Sequence, residues 1–358
     1  MVGDNKLTYA DTGVDRDLRA ASKTGLADLK TTYKLSSHGQ PIKLPYGMIT
    51  PVGNGRYNDT VIEGIGTKVL VAQLAGRYDT IGVDAIAMAA NDVIRSGARP
   101  IVLVDNIDLQ KSEPQFVNEL MKGLIKGAEE SEAPLVGGEV ADVPTLIKGI
   151  RENRGFHIVV SAVGEVYENG IIRGDGIVPG DIIVGLKAPN QHSNGVSLVR
   201  RTLFKEWGGV YEPTDVPDGL SRSVVDEVLE PTRIYVKQMR RALLGHDVKA
   251  AVHVTGDAYL KFDKLQEVNP GIGFVFDNFN PPPIYGVMQD AARKMGKEID
   301  DEEMLKTFNM GWGFALVAAP QSVHTLIDSM GEGEPIGRVT NSGDITIKYK
   351  GKTIDLKR

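Results

Sequence analysis

Residues 101–140, IVLVDNIDLQ KSEPQFVNEL MKGLIKGAEE SEAPLVGGEV, decide the fold class of this chain. Residues 101–104 are a short apolar run that suits a buried strand. Residues 115–131 then change period, because Phe116, Leu120, Leu124 and Ala128 recur every four positions and share one helix face. Residues 135–140 return to a strand interrupted by Gly137-Gly138-Glu139. Strand, amphipathic helix and strand in succession are the signature of an α/β layer.

The alternation extends in both directions. Upstream, residues 60–62 form a strand, a Gly turn follows, and residues 69–72 are a second strand-like apolar segment. Residues 84–97 carry Ile86, Ala89, Ala90, Val93 and Ile94 at helical spacing. Downstream, the apolar run 158–166 completes a first set. Around residues 168–180 the chain turns rich in Gly, Asp and Pro, which places a domain junction there and predicts two units, 1–170 and 171–358. Beyond it strands are expected at 182–186, 248–254, 273–276 and 314–318. Helices are expected at 196–207, at 224–244 with a break near Pro231, at 284–295 and at 321–330. A hairpin of 345–349 and 352–356 turns at Lys350-Gly351. Residues 1–50 read as a loop-rich arm with one short helix near 16–29, ordered by whatever it covers.

Composition narrows the function. The 358 residues are 41% apolar and 25% charged, with a net charge of −6 and no cysteine. Without cysteine there is no disulfide framework, thiolate metal site or cysteine nucleophile. An acidic chain lacking a basic tract is not expected to present a nucleic-acid surface. No apolar window approaches the ~18 residues of a membrane span, and no secretory leader is visible, so a cytoplasmic protein is expected. The 41 glycines exceed the usual ~7%, a surplus that belongs where backbone turns tightly or meets a ligand.

Several clusters carry potential chemistry. In Glu63-Gly64-Ile65-Gly66-Thr67-Lys68 the glycines can turn backbone N–H groups toward an anion, Lys68 adds a positive charge, and Glu63 offers oxygen to a divalent cation. A Gly-rich turn with an exposed lysine is the plainer alternative. On the next helix Asp84 and Asn91 share a face and Asp92 borders the apolar stripe; Mg²⁺ with phosphate oxygens would partner these groups, and the plainer alternative is an N-cap role for Asp84 and a solvated or salt-bridged Asp92. Asp105 and Gly137-Gly138-Glu139 sit at strand ends, where α/β sheets gather ligands. His192-Ser193-Asn194-Gly195 precedes a helix and offers both capping and anion-binding groups. His253 and Thr255-Gly256 end a further strand. No pair of histidines has metal-ligand spacing.

In this order and spacing the clusters resemble the phosphoribosylformylglycinamidine cyclo-ligase family, the aminoimidazole ribonucleotide synthetases. The resemblance runs through residues 7–15 (LTYADTGVD), 64–68 (GIGTK), 79–84 (DTIGVD), Asn91-Asp92, 135–139 (LVGGE), 192–195 (HSNG), 230–236 (EPTRIYV), 253–256 (HVTG) and 308–311 (FNMG), nearly the whole chain. It implies a two-domain α/β (α+β) fold whose N-terminal domains pair into a dimer β-barrel. It also implies ATP and Mg²⁺ as cofactors, a ribonucleotide as small-molecule substrate, and ATP-dependent closure of an imidazole ring. Carried over by residue, His192, Lys68 and Asp92 would be catalytic, and Asp92, Glu63 and Asp84 would hold the metal. Glu63, Gly64, Gly66, Thr67, Lys68, Asp84, Asn91, Asp105, Gly137, Gly138 and Glu139 would bind ATP. His192, Ser193, Asn194, Gly195, Thr255 and Gly256 would bind substrate, with His192 acting in acid–base or orienting chemistry.

The chain departs from the family pattern at a few places. It has Glu63 where the family has Asp, Val140 where it has Thr, and Gly256-Asp257-Ala258 where it has three glycines; a Gly-rich loop is replaced by residues 38–55. A sister ATP-dependent synthetase or kinase, or a non-catalytic nucleotide-binding paralogue, are the competing readings.

Overall fold

In the computed structural model two sheets carry the chain, and residues 5–357 are described. Residues 1–4 of the expected arm and the final Arg358 lie outside the described residues. The first sheet comprises β1 (Ile42–Leu44), β2 (Gly47–Gly53), β3 (Arg56–Gly64), β4 (Arg99–Leu109), β5 (Leu135–Asp142) and β6 (Phe156–Tyr167), in the order β1-β2-β3-β6-β4-β5. Helix α1 (Arg16–Ser22) lies in the arm, α2 (Lys68–Ala75) and α3 (Ile81–Val93) link β3 to β4, and α4 (Pro114–Glu130) links β4 to β5. The β4–β5 pair is parallel, so the chain needs a crossover there, and α4 supplies it as its periodicity predicts.

Residues 69–72 are helical, not a strand. Four apolar residues fit either period, and here they form the centre of α2, which Gly76 ends in the left-handed region at φ +65°. Every residue of α3 is buried, because the helix is enclosed by β3, β6 and α4. The α3–α4 crossing depends on glycine: a Cβ at Gly82 would fall 2.1 Å from the Leu124 nitrogen.

The second sheet holds β7 (Ile182–Lys187), β8 (Val248–His253), β9 (Gly273–Phe276), β10 (Trp312–Ala318), β11 (Glu334–Thr340), β12 (Ile345–Tyr349) and β13 (Lys352–Leu356), in the order β13-β12-β9-β11-β7-β10-β8. Its helices are α5 (Val196–Leu203), α6 (Val224–Leu229), α7 (Val236–Ala242), α8 (Asp263–Val268), α9 (Ile284–Lys294), α10 (Asp301–Thr307) and α11 (Val323–Met330). The break expected near Pro231 is the loop between α6 and α7. The short elements β1, β2, β11, α8 and α10 have no counterpart in the sequence reading.

The first sheet is open, with β1 and β5 at its edges, so the described residues form no closed barrel. One face packs on α3. The other carries exposed apolar residues, with Ile62 70% and Val136 62% exposed. Among the described residues no helix is long and apolar enough to cross a membrane. The arm lies on the second sheet's side of the molecule: Leu7 N donates to Glu298 O at 2.7 Å, and Tyr9 N to the Glu303 carboxylate at 3.2 Å.

Candidate active site

The residues singled out by sequence fall into three spatial groups. Lys68 and Asp84 form the first, a fully buried ion pair 2.8 Å apart. Asp84 Oδ1 also accepts from Ser193 Oγ at 3.0 Å, Thr232 N at 2.7 Å and Thr232 Oγ1 at 2.6 Å, while Lys68 Nζ donates to Glu230 O at 2.7 Å. Asn91 adds two bonds to the same loop, donating to Arg233 O at 2.8 Å and accepting from Tyr235 N at 2.9 Å. These residues join α3 to the 190s and 230s loops. Burial lowers the Lys68 pKa and Asp84 opposes it. The Lys68 ammonium is enclosed and engaged by Asp84 and the Glu230 carbonyl. Asp84 caps nothing; its backbone is inside α3, and its carboxylate is a buried acceptor.

The second group centres on Asp92, which is salt-bridged. Its Oδ2 is 2.9 Å from Arg95 and its Oδ1 2.7 Å from His253 Nδ1. A carboxylate only accepts, so Nδ1 carries the proton and Nε2 faces Asn91 Nδ2 at 3.5 Å. Burial would raise the Asp92 carboxyl, but Arg95, the His253 hydrogen bond and Lys261 together hold it well below the usual range. Burial pushes His253 down to about 4 against the pull of Asp92, so the imidazole is neutral. Burial also brings Lys261 down to about 8. The Lys261 ammonium donates to His253 O at 3.1 Å and to the Thr255 hydroxyl. Glu63 stands nearby, raised by burial and by the Asp92 charge.

The third group is a row across the first sheet. Glu63 and Asp105 flank Val160 in register, about 10 Å apart across two strand spacings, and Gly138 pairs with Asp105. Burial raises the Asp105 carboxyl. A Cβ at Gly138 would lie 2.3 Å from the Asp105 carbonyl oxygen, so this strand contact requires glycine. Gly137, Gly138 and Glu139 are exposed.

The expected metal set of Asp92, Glu63 and Asp84 is not assembled. Asp92 is engaged by Arg95 and His253, Asp84 Oδ1 takes four donors while its buried Oδ2 has no partner, and no group of three ligating side chains is gathered among the described residues. The His192 side chain takes no part in these groups. Its ring is fully buried, both ring nitrogens lack hydrogen-bond partners, and burial takes its pKa well below the ordinary value. A Cβ on Gly313 would sit 2.4 Å from its Cε1, so the imidazole packs against β10 and touches no open space.

Open space lies elsewhere. A cleft of about 710 Å³ runs between the arm and the loop after β8, and its cationic side chains outnumber its carboxylates seven to four. Arg16, Arg19, Lys23 and Lys261 are among them. Tyr9 from the arm reaches the backbone of Gly195, so the arm covers the turn before α5.

Two family patterns match the sequence: the AIR synthase related protein N-terminal domain over residues 51–166 and its C-terminal domain over residues 178–350. The chain belongs to the AIR synthase related family. Within this family it is 36% identical over 349 residues to the phosphoribosylformylglycinamidine cyclo-ligase of Methanothermobacter thermautotrophicus, covering 94% of this chain and 95% of that one. The fold is similar to that in a HypE-HypF complex, with a TM-score of 0.62 at 15% identity over 96% of this chain and 100% of the other. It is also similar to T. maritima PurL complexed with ATP, with a TM-score of 0.56 at 14% identity over 86% of this chain and 44% of that one.

The AIR synthase related fold here also uses residues that were not among the expected site residues. Arg95 carries a local signal, three residues after Asp92 on the same helix face. Glu230 and Thr232 lie in the 230–236 motif, but their partners Lys68 and Asp84 stand in the other half; Lys261, which bonds His253 and Thr255 in its own half, carries no such signal.

Proposed function

We propose that the chain catalyses ATP-dependent ring closure of formylglycinamidine ribonucleotide to 5-aminoimidazole ribonucleotide, ADP and phosphate, a step of purine biosynthesis. Its family membership over both halves and its similarity to cyclo-ligases along nearly the full length support this reading. The cationic cleft is the structural observation that carries it, because both substrates are anionic phosphates.

An amide-type oxygen is a poor leaving group. Transfer of the ATP γ-phosphoryl group to the formyl oxygen converts it into a phosphate ester, the amidine nitrogen attacks the same carbon, and the C–O bond breaks to release phosphate. The attack is intramolecular, so the protein's contribution is orientation and neutralisation of phosphate charge. Arg16, Arg19, Lys23 and Lys261 supply that charge from the cleft walls. The Lys68–Asp84 and Asp92–His253 networks hold the 190s and 250s loops in place, and Asn194, Gly195, Thr255 and Gly256 then present backbone and side-chain donors to the substrate. Glu63 and Asp105 keep half-buried carboxyls on the row toward ATP.

The reading includes a homodimer. The exposed apolar face around Ile62 and Val136 would be covered by the same face of a second copy, completing the barrel that one open sheet lacks. It also includes the division into units 1–170 and 171–358, with the arm crossing back over the second.

The test is ADP formation from Mg·ATP with and without formylglycinamidine ribonucleotide, followed by the product's mass. Substrate-dependent ADP with a ribonucleotide lighter by one water is expected. ATP binding without turnover would instead favour a sister substrate or a regulatory paralogue.

A further inference from the structure

Asp257 stands where the backbone would suit glycine. Its φ is +69°, and Ala258 follows at φ +40°. Left-handed backbone disfavours any residue with a Cβ, although Asp tolerates it better than most. The side chain is not idle there. Both carboxylate oxygens accept from Arg19 Nη2, at 2.7 and 2.9 Å, and Oδ1 lies 3.6 Å from Arg16 Nε. Arg16 is held from its other side by Glu303 at 3.2 Å and Thr307 at 2.5 Å. Asp257 thus ties α1 of the arm to the loop after β8, at the rim of the cationic cleft.

Two buried donors beside this contact have no acceptor. Arg16 Nε makes no hydrogen bond, and neither does Asn194 Nδ2, whose own Oδ1 is taken by Gly256 N at 3.0 Å. A buried N–H without an acceptor is costly, so the pair offers two donors that an incoming anion would satisfy. Asp257 covers part of that deficit with one charge, whereas a phosphate monoester brings three acceptor oxygens and about two charges at neutral pH.

We propose that Asp257 is a resident counter-anion for Arg16 and Arg19: it holds the arm over the cleft while no ligand is bound, and a phosphate monoester displaces it from the arginines on binding. It is a positioning and specificity residue. By taxing every anion that enters, it sets the affinity for the phosphate of the substrate. The ligand class rests on the function proposed above; the contact between arm and loop does not.

The two partners make opposite predictions, which a merely structural role would not. The variants are Asp257→Asn, which keeps the shape and accepts left-handed backbone, Asp257→Gly, which removes the strain, and Arg19→Gln. In the ligand-free protein, hydrogen exchange over residues 14–35 should speed up by about two- to fivefold in all three, the range of a partly exposed ion pair. Ribose 5-phosphate, measured by calorimetry, should bind about threefold or more tighter to Asp257→Asn, because a nearby like charge is gone, and weaker to Arg19→Gln. Titration with Mg·ATP in parallel identifies the source of the phosphate: tightening confined to ribose 5-phosphate assigns the cleft to the ribonucleotide, and tightening confined to ATP assigns it to the nucleotide.

Unchanged exchange in both Asp257 variants overturns the tether. Equal or weaker binding of both phosphate probes by Asp257→Asn overturns the displacement. Neither readout needs turnover, so absence of ring closure alongside the expected shifts would reject the proposed reaction and leave the role of Asp257 standing.

Discussion

Replacing Asp84 with Asn tests the buried ion pair of the first half, whose members also bond Ser193, Thr232 and Glu230 of the second. The amide retains an oxygen for Thr232 and Ser193 but removes the charge that faces Lys68 Nζ at 2.8 Å. Both side chains are fully buried, so the variant leaves an ammonium with only the Glu230 carbonyl as partner. Breaking a buried pair from one side costs about 3–5 kcal/mol. Urea unfolding followed through the buried Trp312 measures it. Lys68→Met should also destabilise, and the double variant should be less destabilised than the sum of the two, with a coupling of about 1–3 kcal/mol. The sign with pH follows from Lys68. Burial already lowers its folded pKa, and loss of Asp84 lowers it further below the unfolded value near ~10.4. Between those two values the unfolded chain binds the extra proton, so the stability of Asp84→Asn rises with pH and its deficit against the wild type shrinks as pH climbs toward the unfolded value. A deficit below about 1 kcal/mol, or one independent of pH over that span, would refute the reasoning.

Other outcomes follow from separate parts of the structure. Burial pushes Asp59 up to about 6, against a Ser96 hydrogen bond and the Arg95 charge that pull it down. Its favourable contribution is present below about pH 4 and lost as pH rises through 6, so Asp59→Asn should raise stability by about 1–2 kcal/mol at pH 8 and leave it unchanged at pH 4. Thermal unfolding at both pH values decides this, and an equal gain at each would contradict it. Gly82→Ala drives a methyl against the Leu124 backbone and should cost about 3 kcal/mol or more; a melting temperature within a degree of wild type would mean that α3 and α4 do not cross so closely. Sedimentation should find a dimer for the wild type and a monomer for Ile62→Glu, whereas a monomeric wild type would remove the proposed sheet pairing.

The helices with a full apolar stripe were legible from sequence alone. Phe116, Leu120, Leu124 and Ala128 announce α4 because a helix face repeats within a single segment, and the run 158–166 announces β6. A short apolar run without a flanking signal was less so: residues 69–72 fit a strand as well as a helix, and only their enclosure by neighbouring elements selects α2. Among the site residues, Asp92 was visible as a carboxylate bordering a buried face, and the salt bridge expected as its plainer role is the one it makes, with Arg95 three positions on. Lys68 was visible as a charge beside glycines, yet its surroundings were not.

Composition, hydrophobic period and the order of the Gly- and Asp-bearing motifs by themselves determined an α/β chain of two similar halves and the family to which it belongs. These are properties of neighbours along the chain, and 3.6-residue and 2-residue repeats record them directly. Which buried charge meets which partner was decided only by the tertiary structure. Asp84 finds Thr232 across 148 residues, and Asp257 finds Arg19 across 238. No local pattern encodes such pairs. A buried carboxylate requires only that donors surround it, and the closing of the two halves on each other determines which residues those are.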